Sequence, residues 1–268
     1  MEKNKTKVGI IGLGLIGASI LKGLSKNNDY ELFVCSKSNY KNAFDYTKNS
    51  SFDINIVKNC DIVFVCTSVS KTLETLDKLN EILGKNTVVA DVTSIKKDLL
   101  NKKFNFDFIL SHPMAGTEKS GFTAGFGELF VGAKWLVEKE NEILNKIIIS
   151  LGAKQLLIDM KLHDELTAQI SHLPTVLAFL LFDSVDNSAK QIASSGFRDM
   201  TRLSLQNCDL VLNMLKNKKN ILKYFDIIKE KMEKVSNMSE TETADYLNNI
   251  SLERKKMYDE NGKNIFKI

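Results

Sequence analysis

Along the first 160 residues the hydrophobic positions follow two alternating rhythms. Short apolar runs bounded by Gly, Asn, Asp or Ser occupy Lys7–Ile11, Glu31–Cys35, Asp61–Cys66, Thr87–Asp91 and Phe106–Leu110. Their length and borders predict strands buried on both faces. Between them the spacing becomes helical, as where Leu73, Leu76, Leu79 and Leu83 line one face of Val69–Leu83. Two further strands are predicted over Lys134–Glu138 and Gln155–Asp159, flanking a helix over Glu142–Leu151. Strands alternating with helices indicate a parallel sheet covered on both sides. After about Lys161 the strand rhythm stops. Leu162–Val185 is a long helical pattern, apolar all round, with Pro174 near its middle, which predicts a buried helix. Phe197–Leu205, Cys208–Leu215, Ile221–Val235 and Glu240–Tyr258 follow, all helical in period. The expectation is an α/β domain over residues 1–160 and an all-α domain over 161–268.

Composition narrows the class. With 43% hydrophobic and 26% charged residues in 268, the chain can bury real cores, which excludes wholesale disorder. It has no run of about 18 uncharged apolar residues, so no membrane span is expected. The start, Met1-Glu2-Lys3-Asn4-Lys5-Thr6-Lys7, lacks the apolar segment of a secretory signal, and the cytoplasm is the expected location. A net charge of +4 from 37 basic and 33 acidic residues is too small and too dispersed to argue for nucleic acid. Cys35, Cys60, Cys66 and Cys208 form no CxxC pair, so buried free thiols are expected and no metal site. Scarcity is more telling. The chain has three histidines and two prolines, and both prolines sit beside histidines, in His112-Pro113 and His172-Leu173-Pro174.

The first strand runs into a glycine pattern. Val8-Gly9-Ile10-Ile11-Gly12-Leu13-Gly14-Leu15-Ile16-Gly17 is a hydrophobic strand followed by G-x-G-x-x-G and an amphipathic helix (Ile16, Ile20, Leu21, Leu24). That context reads as a Rossmann-type dinucleotide site: Gly12 for the tight turn, Gly14 for approach of a pyrophosphate, Gly17 for close helix packing. The bland reading is a structural turn. About 20 residues on, an Asp or Glu is expected to hold the ribose 2′-hydroxyl, but the chain reads Cys35-Ser36-Lys37-Ser38. A hydroxyl and an ammonium suit a 2′-phosphate, with opposite charges at 4 Å worth about 4 kcal/mol before desolvation. NADP is therefore favoured over NAD, unless Ser36 and Lys37 are only solvated turn residues. Leu15, Ile16, Ser38, Thr67 and Ser68 complete the cofactor-binding set.

Two segments stand at predicted carboxyl ends of strands, where open α/β sheets bind ligands. One is Ala90-Asp91-Val92-Thr93-Ser94-Ile95-Lys96, with Ser94 expected near a helix start. The other is Ser111-His112-Pro113-Met114-Ala115-Gly116-Thr117-Glu118. A lone histidine is most often a satisfied structural residue. His112 follows a buried strand and shares one rim with the glycine turn, so a neutral imidazole there can serve as a base. His163-Asp164 reads as a helix-start pair, and Trp135 as core.

GLGLIG, DVTSIK, HPMAGTE with KSG, SHLP and SSGFRDMTR, in this order, resemble the prephenate/arogenate (cyclohexadienyl) dehydrogenases of tyrosine biosynthesis, over about Lys7 to Val235. The glycine motif is widespread, whereas HPMAGTE and SHLP with GFRDMTR are far more specific. The resemblance implies a Rossmann domain followed by an all-α dimerisation and substrate domain, and oxidative decarboxylation of a cyclohexadienyl ring driven by aromatisation. It places the catalytic histidine on His112, with Ser94 orienting it and the substrate. The substrate-binding arginine falls on Arg202, whose guanidinium suits a bidentate grip on a carboxylate. His172, Gly196 and Glu118 fall on the substrate side, Glu118 being evenly balanced with a surface role, and Arg198 and Asp199 are expected to pair. Many prephenate-preferring members read SHLPH, whereas this chain has Thr175 in place of the second histidine. With the Ser-Lys turn, this leans towards an NADP-dependent arogenate dehydrogenase, the alternative being an NAD-dependent prephenate dehydrogenase. A homodimer through the helical domain is expected. So is a chain without room for a fused mutase or regulatory domain, which leaves any tyrosine inhibition to act at the active site. The rivals are a β-hydroxyacid dehydrogenase or imine reductase, and a nucleotide-sensing protein without turnover.

Overall fold

The computed structural model describes residues 5–258. Those up to Ile221 form one compact unit and those from Leu222 another. The first unit opens with β1 (Thr6–Ile11), α1 (Leu15–Leu24), β2 (Tyr30–Cys35), β3 (Asn49–Ser51), β4 (Ile62–Val65), α2 (Val69–Ile82), β5 (Val88–Asp91) and β6 (Asp107–Ile109). These six strands form one parallel sheet in the order β3-β2-β1-β4-β5-β6. Alternation along the strands makes two cores. Ile10 and Phe64 point to one face with Ile20, Leu24 and Trp135, while Ile11, Val63 and Val65 point to the other with Leu76 and Leu79. The strand order reverses between β1 and β4, and such a reversal opens a crevice beyond the carboxyl ends of the strands.

A second sheet carries β7 (Ser111–Pro113), β8 (Lys134–Val137) and β9 (Lys154–Leu157), with α3 (Glu142–Ser150) between β8 and β9. β7 runs antiparallel to β8, and β8 parallel to β9. His112 is therefore part of a strand, paired with Leu136, rather than in the loop expected after one. Pro113 lacks an N–H, but β7 is an edge strand of three residues, where that omission is tolerated. Ser94 also departs from expectation, because it sits in a turn and no helix starts there.

The long apolar pattern forms one continuous helix, Met160–Ser184, made of α4 (Met160–Thr167), a π turn over Ala168–His172, and α5 (Leu173–Ser184). Pro174 has no N–H to give the carbonyl four residues back and its ring crowds that carbonyl, and the helix widens just before it. Asp159 caps α4 by accepting from the Lys161 N–H, so His163 and Asp164 lie beyond the first turn and do not start the helix. By length and composition this segment is apolar enough to cross a membrane, contrary to the expectation that none is. The hydrogen bonds of Asp164 described below instead tie it into the first unit.

Nor is the helix buried all round. Leu162, Leu166 and Ile170 form an exposed stripe at four-residue spacing, continued by Leu180, Leu181 and Phe182. Then come α6 (Asn187–Gln191), α7 (Ser195–Thr201), a 3-10 turn over Arg202–Leu205, α8 (Cys208–Leu215), α9 (Lys218–Ser236) and α10 (Glu240–Met257). The helix expected over Phe197–Leu205 is thus split at Thr201. All four cysteines are free, but Cys208 is exposed rather than buried.

Candidate active site

The glycine turn is a cradle shaped by backbone. Gly12 has φ +92°, and a Cβ there would lie 2.7 Å from the Cys66 carbonyl oxygen. A Cβ on Gly17 would lie 1.9 Å from the Gly12 carbonyl oxygen, so α1 can close on the turn only without a side chain. Gly14 differs, because a Cβ there would meet nothing within 4 Å. It is the N-cap of α1 and offers no side-chain cap, which leaves the first amides of the helix available to an anion. A cavity of about 970 Å³ opens beside it, walled by Gly12, Gly14, Ser36, Lys37, Ser38, Thr67 and Ser68. Leu15, Ile16 and Gly17 form the start of α1 and are not in the wall. The residues present therefore fit a dinucleotide.

Around the β2 end of the cavity the charges are mixed. Lys37 and Lys71 both line it, with Asp53, Glu74 and Lys78. Glu74 is paired with Lys78 at 2.5 Å, and the Asp53 carboxylate accepts from the Asn55 backbone and side chain at 3.0 and 2.9 Å. Ser36 accepts the Asn39 N–H at 3.1 Å and is buried. Lys71, in the first turn of α2, was not singled out by the sequence, because nothing there shows that α2 faces the β2 turn.

The second assembly gathers all three histidines of the chain. His112 Nδ1 lies 2.9 Å from His163 Nε2, and His163 Nδ1 lies 2.8 Å from Asp164 Oδ1. Asp164 also accepts the backbone N–H groups of Lys96 at 2.8 Å and Lys97 at 3.0 Å. Burial pushes the Asp164 carboxyl up, but the bonds from His163 and these two amides outweigh it and hold the carboxyl below its usual value. A carboxylate only accepts, so His163 donates from Nδ1. Burial holds His163 below its usual pKa, so it is neutral at pH 7 and its Nε2 accepts from His112 Nδ1–H. His112 Nε2 is left bare. Burial, then His163, Lys96 and His172, hold His112 well below the usual imidazole value. Half-buried at the end of this relay, His112 is a base already deprotonated at neutral pH.

Beneath it lies a fully buried ion pair. Lys96 Nζ donates to Asp91, with no exposed side-chain surface on either residue, and to the Ser111 carbonyl at 2.6 Å. Asp91 accepts the Ser111 N–H at 3.0 Å and the Thr93 hydroxyl at 2.6 Å. The strand that carries His112 is thus bolted to the end of β5. Trp135 is core, as expected, and its indole N–H reaches the Ser111 hydroxyl at 3.1 Å.

Other expected residues fall elsewhere. The ring partner of His112 is His163 rather than Ser94, which makes no hydrogen bond to it. His172 and Thr175 are buried. Arg202, Gly196 and Glu118 are exposed, and none hydrogen-bonds to the histidine cluster. Arg198 and Asp199 do pair, at 3.2 Å on the surface. The sequence reading missed the relay role of His163-Asp164 and the buried Asp91–Lys96 pair. The His163-Asp164 pair inside an apolar segment is the signal for the first, and nothing in the sequence marks the second.

The parallel sheet, the open glycine cradle and a neutral histidine define a dinucleotide-dependent dehydrogenase. Two family models match: prephenate dehydrogenase, nucleotide-binding domain, over residues 27–157, and prephenate dehydrogenase, dimerization domain, over 159–252. A prephenate dehydrogenase of Lactococcus lactis subsp. cremoris is 32% identical over 244 residues, covering 81% of this chain and 69% of that protein. The crystal structure of Synechocystis arogenate dehydrogenase is 27% identical with a TM-score of 0.80, covering 94% of this chain and 99% of that one. A prephenate dehydrogenase from Aquifex aeolicus, in complex with hydroxyphenyl propionate and NAD+, superposes with a TM-score of 0.81 at 23% identity, covering 95% and 99%. The chain belongs to the prephenate dehydrogenase family. It is an oxidoreductase of tyrosine biosynthesis that uses a pyridine nucleotide on a small cyclohexadienyl acid.

Proposed function

We propose that the chain is an NADP-dependent arogenate dehydrogenase, working in the cytoplasm as a homodimer through its helical part, with the functional division at residues 160/161. The observation that carries the cofactor choice is the β2 end of the cavity. There Ser36, Lys37 and Ser38 stand where a ribose-binding acid would, and Lys71 faces the same space. An acid would repel a 2′-phosphate, whereas two ammonium groups attract it. The substrate choice rests on Thr175, a neutral buried residue that tolerates an amino-acid side chain better than a protonated histidine would. The exposed stripe from Leu162 to Phe182 supports the dimer.

The chemistry then divides among the chain's own groups. His112 Nε2 takes the proton of the ring hydroxyl, and the His163–Asp164 relay holds the imidazole in the tautomer that can do so. Arg202 grips a substrate carboxylate through its guanidinium, and the departing ring carboxylate leaves as carbon dioxide when the ring becomes aromatic. When bound, the nicotinamide supplies the hydride acceptor. Gly14 and the first amides of α1 hold the pyrophosphate, Lys37, Lys71 and Ser36 the 2′-phosphate, and Ser94 and Glu118 border the substrate.

A second reading, an NAD-dependent prephenate dehydrogenase, is favoured by Asp53, a carboxylate on the wall of the same cavity that can accept from a ribose hydroxyl. Initial rates with prephenate and arogenate, each with NAD and NADP, separate the two. Arogenate with NADP is expected to be the best pair, and Lys37→Ala to lower the preference for NADP by roughly tenfold. Prephenate with NAD as the best pair overturns the proposal.

A further inference from the structure

Asn217 lies between α8 and α9, buried, with no sequence motif to mark it. Its Nδ2 is 2.5 Å from the Asp164 carbonyl oxygen and 3.2 Å from His172 Nδ1, and its Oδ1 is 2.9 Å from Asn220 Nδ2. A carbonyl oxygen only accepts, so the amide nitrogen of Asn217 must face Asp164, and the Asn220 amide donates to the opposite side. The orientation of the Asn217 amide is thereby fixed by its neighbours. One of its two hydrogens goes to Asp164, and the other to His172 Nδ1. A neutral imidazole that accepts at Nδ1 carries its proton on Nε2. His172 is neutral, because burial, opposed by Asp164 and aided by His163, pushes it down to about 4. Its Nε2 has no hydrogen-bond partner among the described residues, and it is not among their sealed, unpartnered polar atoms.

The same corner is pinned twice more. Lys97 Nζ donates to the Lys216 carbonyl at 3.0 Å, next to Asn217, while the Lys97 N–H holds the Asp164 carboxylate. Asn217 therefore sits in a closed ring of hydrogen bonds that joins the turn after β5, α4 and the start of α9. It addresses His172 at Nδ1, the same ring nitrogen at which the relay addresses His112, but as a donor where His163 is an acceptor.

We infer that Asn217 is a positioning residue that locks His172 as an Nε2–H donor, so that the histidine cluster carries a bare nitrogen on His112 and a protonated one on His172. The pair offers one acceptor and one donor, which suits an oxygen-rich acid that gives up a hydroxyl proton while an oxygen elsewhere on it accepts a hydrogen bond. The donor role rests on the proposed reading of the site. The tautomer does not.

Histidine-selective 15N labelling of the wild-type protein, read in long-range proton–nitrogen spectra at neutral pH, tests the tautomer directly. Three histidines are few enough to assign with His172→Gln. The expected His172 pattern has the proton on Nε2, and a proton on Nδ1 overturns the inference whether or not any variant folds. Asn217→Asp replaces the donor by an acceptor, so His172 is expected to switch to the Nδ1–H form. The KM for the cyclohexadienyl substrate is then expected to rise roughly 10–100-fold, the cost of one hydrogen bond to a charged group, with cofactor affinity unchanged. A switched tautomer with an unaltered KM removes His172 as a donor. Wild-type protein inactive on both substrates counts against the proposed function alone, because the spectrum still decides the tautomer.

Discussion

Gly12, Gly14 and Gly17 act within two turns of chain, whereas His112, His163, Asp164, His172 and Asn217 meet only because three separate segments fold together. In the cradle the important feature is missing side chain: space over Gly14, contact-distance backbone at Gly12 and Gly17. In the histidine cluster it is the reverse, because polar groups there are oriented by partners 45 to 68 residues away in sequence. A local motif tolerates damage elsewhere, while a network of buried polar groups is cooperative and loses function when one member goes. The cofactor half and the chemical half should therefore respond to substitution in different ways.

The largest expected separation is in turnover. His112→Asn should lower kcat by roughly 10²–10⁴-fold, the usual contribution of a positioned base, and leave the dissociation constant for the nucleotide unchanged in a fluorescence titration. Equal losses in both would mean the two halves are not separable. Stability gives the next contrast. Lys96→Met leaves the Asp91 carboxylate buried without its partner, which should cost about 3–5 kcal/mol in urea unfolding. Lys37→Ala, on the exposed rim of the cradle, should stay within about 0.5 kcal/mol. A mild effect at Lys96 would mean that water reaches Asp91.

Acid should separate the halves by about the same energy. His172 is pushed down to about 4 from about 6.5 in the unfolded chain, so the unfolded state binds the proton first. Stability is then complete above about pH 6.5 and falls as the pH drops towards 4, by ~3 kcal/mol in all. His172→Gln should flatten that part of the profile. The acid limb of kcat/KM should lie below 6.5, because His112 is held down as well; a limb above 6.5 would show that the relay does not keep it neutral. The smallest effect is expected at Gly14→Ala. The new methyl group meets no protein atom, so unfolding should be almost unchanged, while it occupies pyrophosphate space and should weaken nucleotide binding about tenfold.

The two regions were also unequally legible in the sequence. The glycine turn could be read because its physics is backbone physics and lies within ten consecutive residues. The parallel sheet could be read because Ile62–Val65 and Val88–Asp91 are short apolar runs with turn residues at their ends. What stayed hidden depends on distance. The resemblance makes Ser94 the hydroxyl that orients His112 and the substrate, whereas the ring partner that the structure shows for His112 is His163, 51 residues along the chain. In sequence Asp164 reads with His163 as a helix start. Its role depends on the fold, which brings the turn at Lys96 and Lys97 to deliver two amides to it. Lys96 gave no warning either, because a lysine after DVTSI looks solvated until Asp91 and the Ser111 carbonyl are found around it. The apolar pattern of Leu162–Val185 predicts a buried helix, and within one chain its stripe from Leu162 to Phe182 is exposed, since periodicity reports apolar faces and not what covers them.

The widened turn over Ala168–His172 carries one further meaning. An ideal α-helix advances about 100° per residue, so nine residues separate His163 and His172 by two and a half revolutions and set them back to back. The i→i+5 turn slows that rotation, and Asn217 reaches both the Asp164 backbone and His172. A proline that a helix would ordinarily only tolerate thus acts as a phase shifter, converting a position in the sequence into an angle about an axis. In this protein the spacing between His163 and Pro174 is itself a functional quantity, as open to selection as any side chain in the pocket.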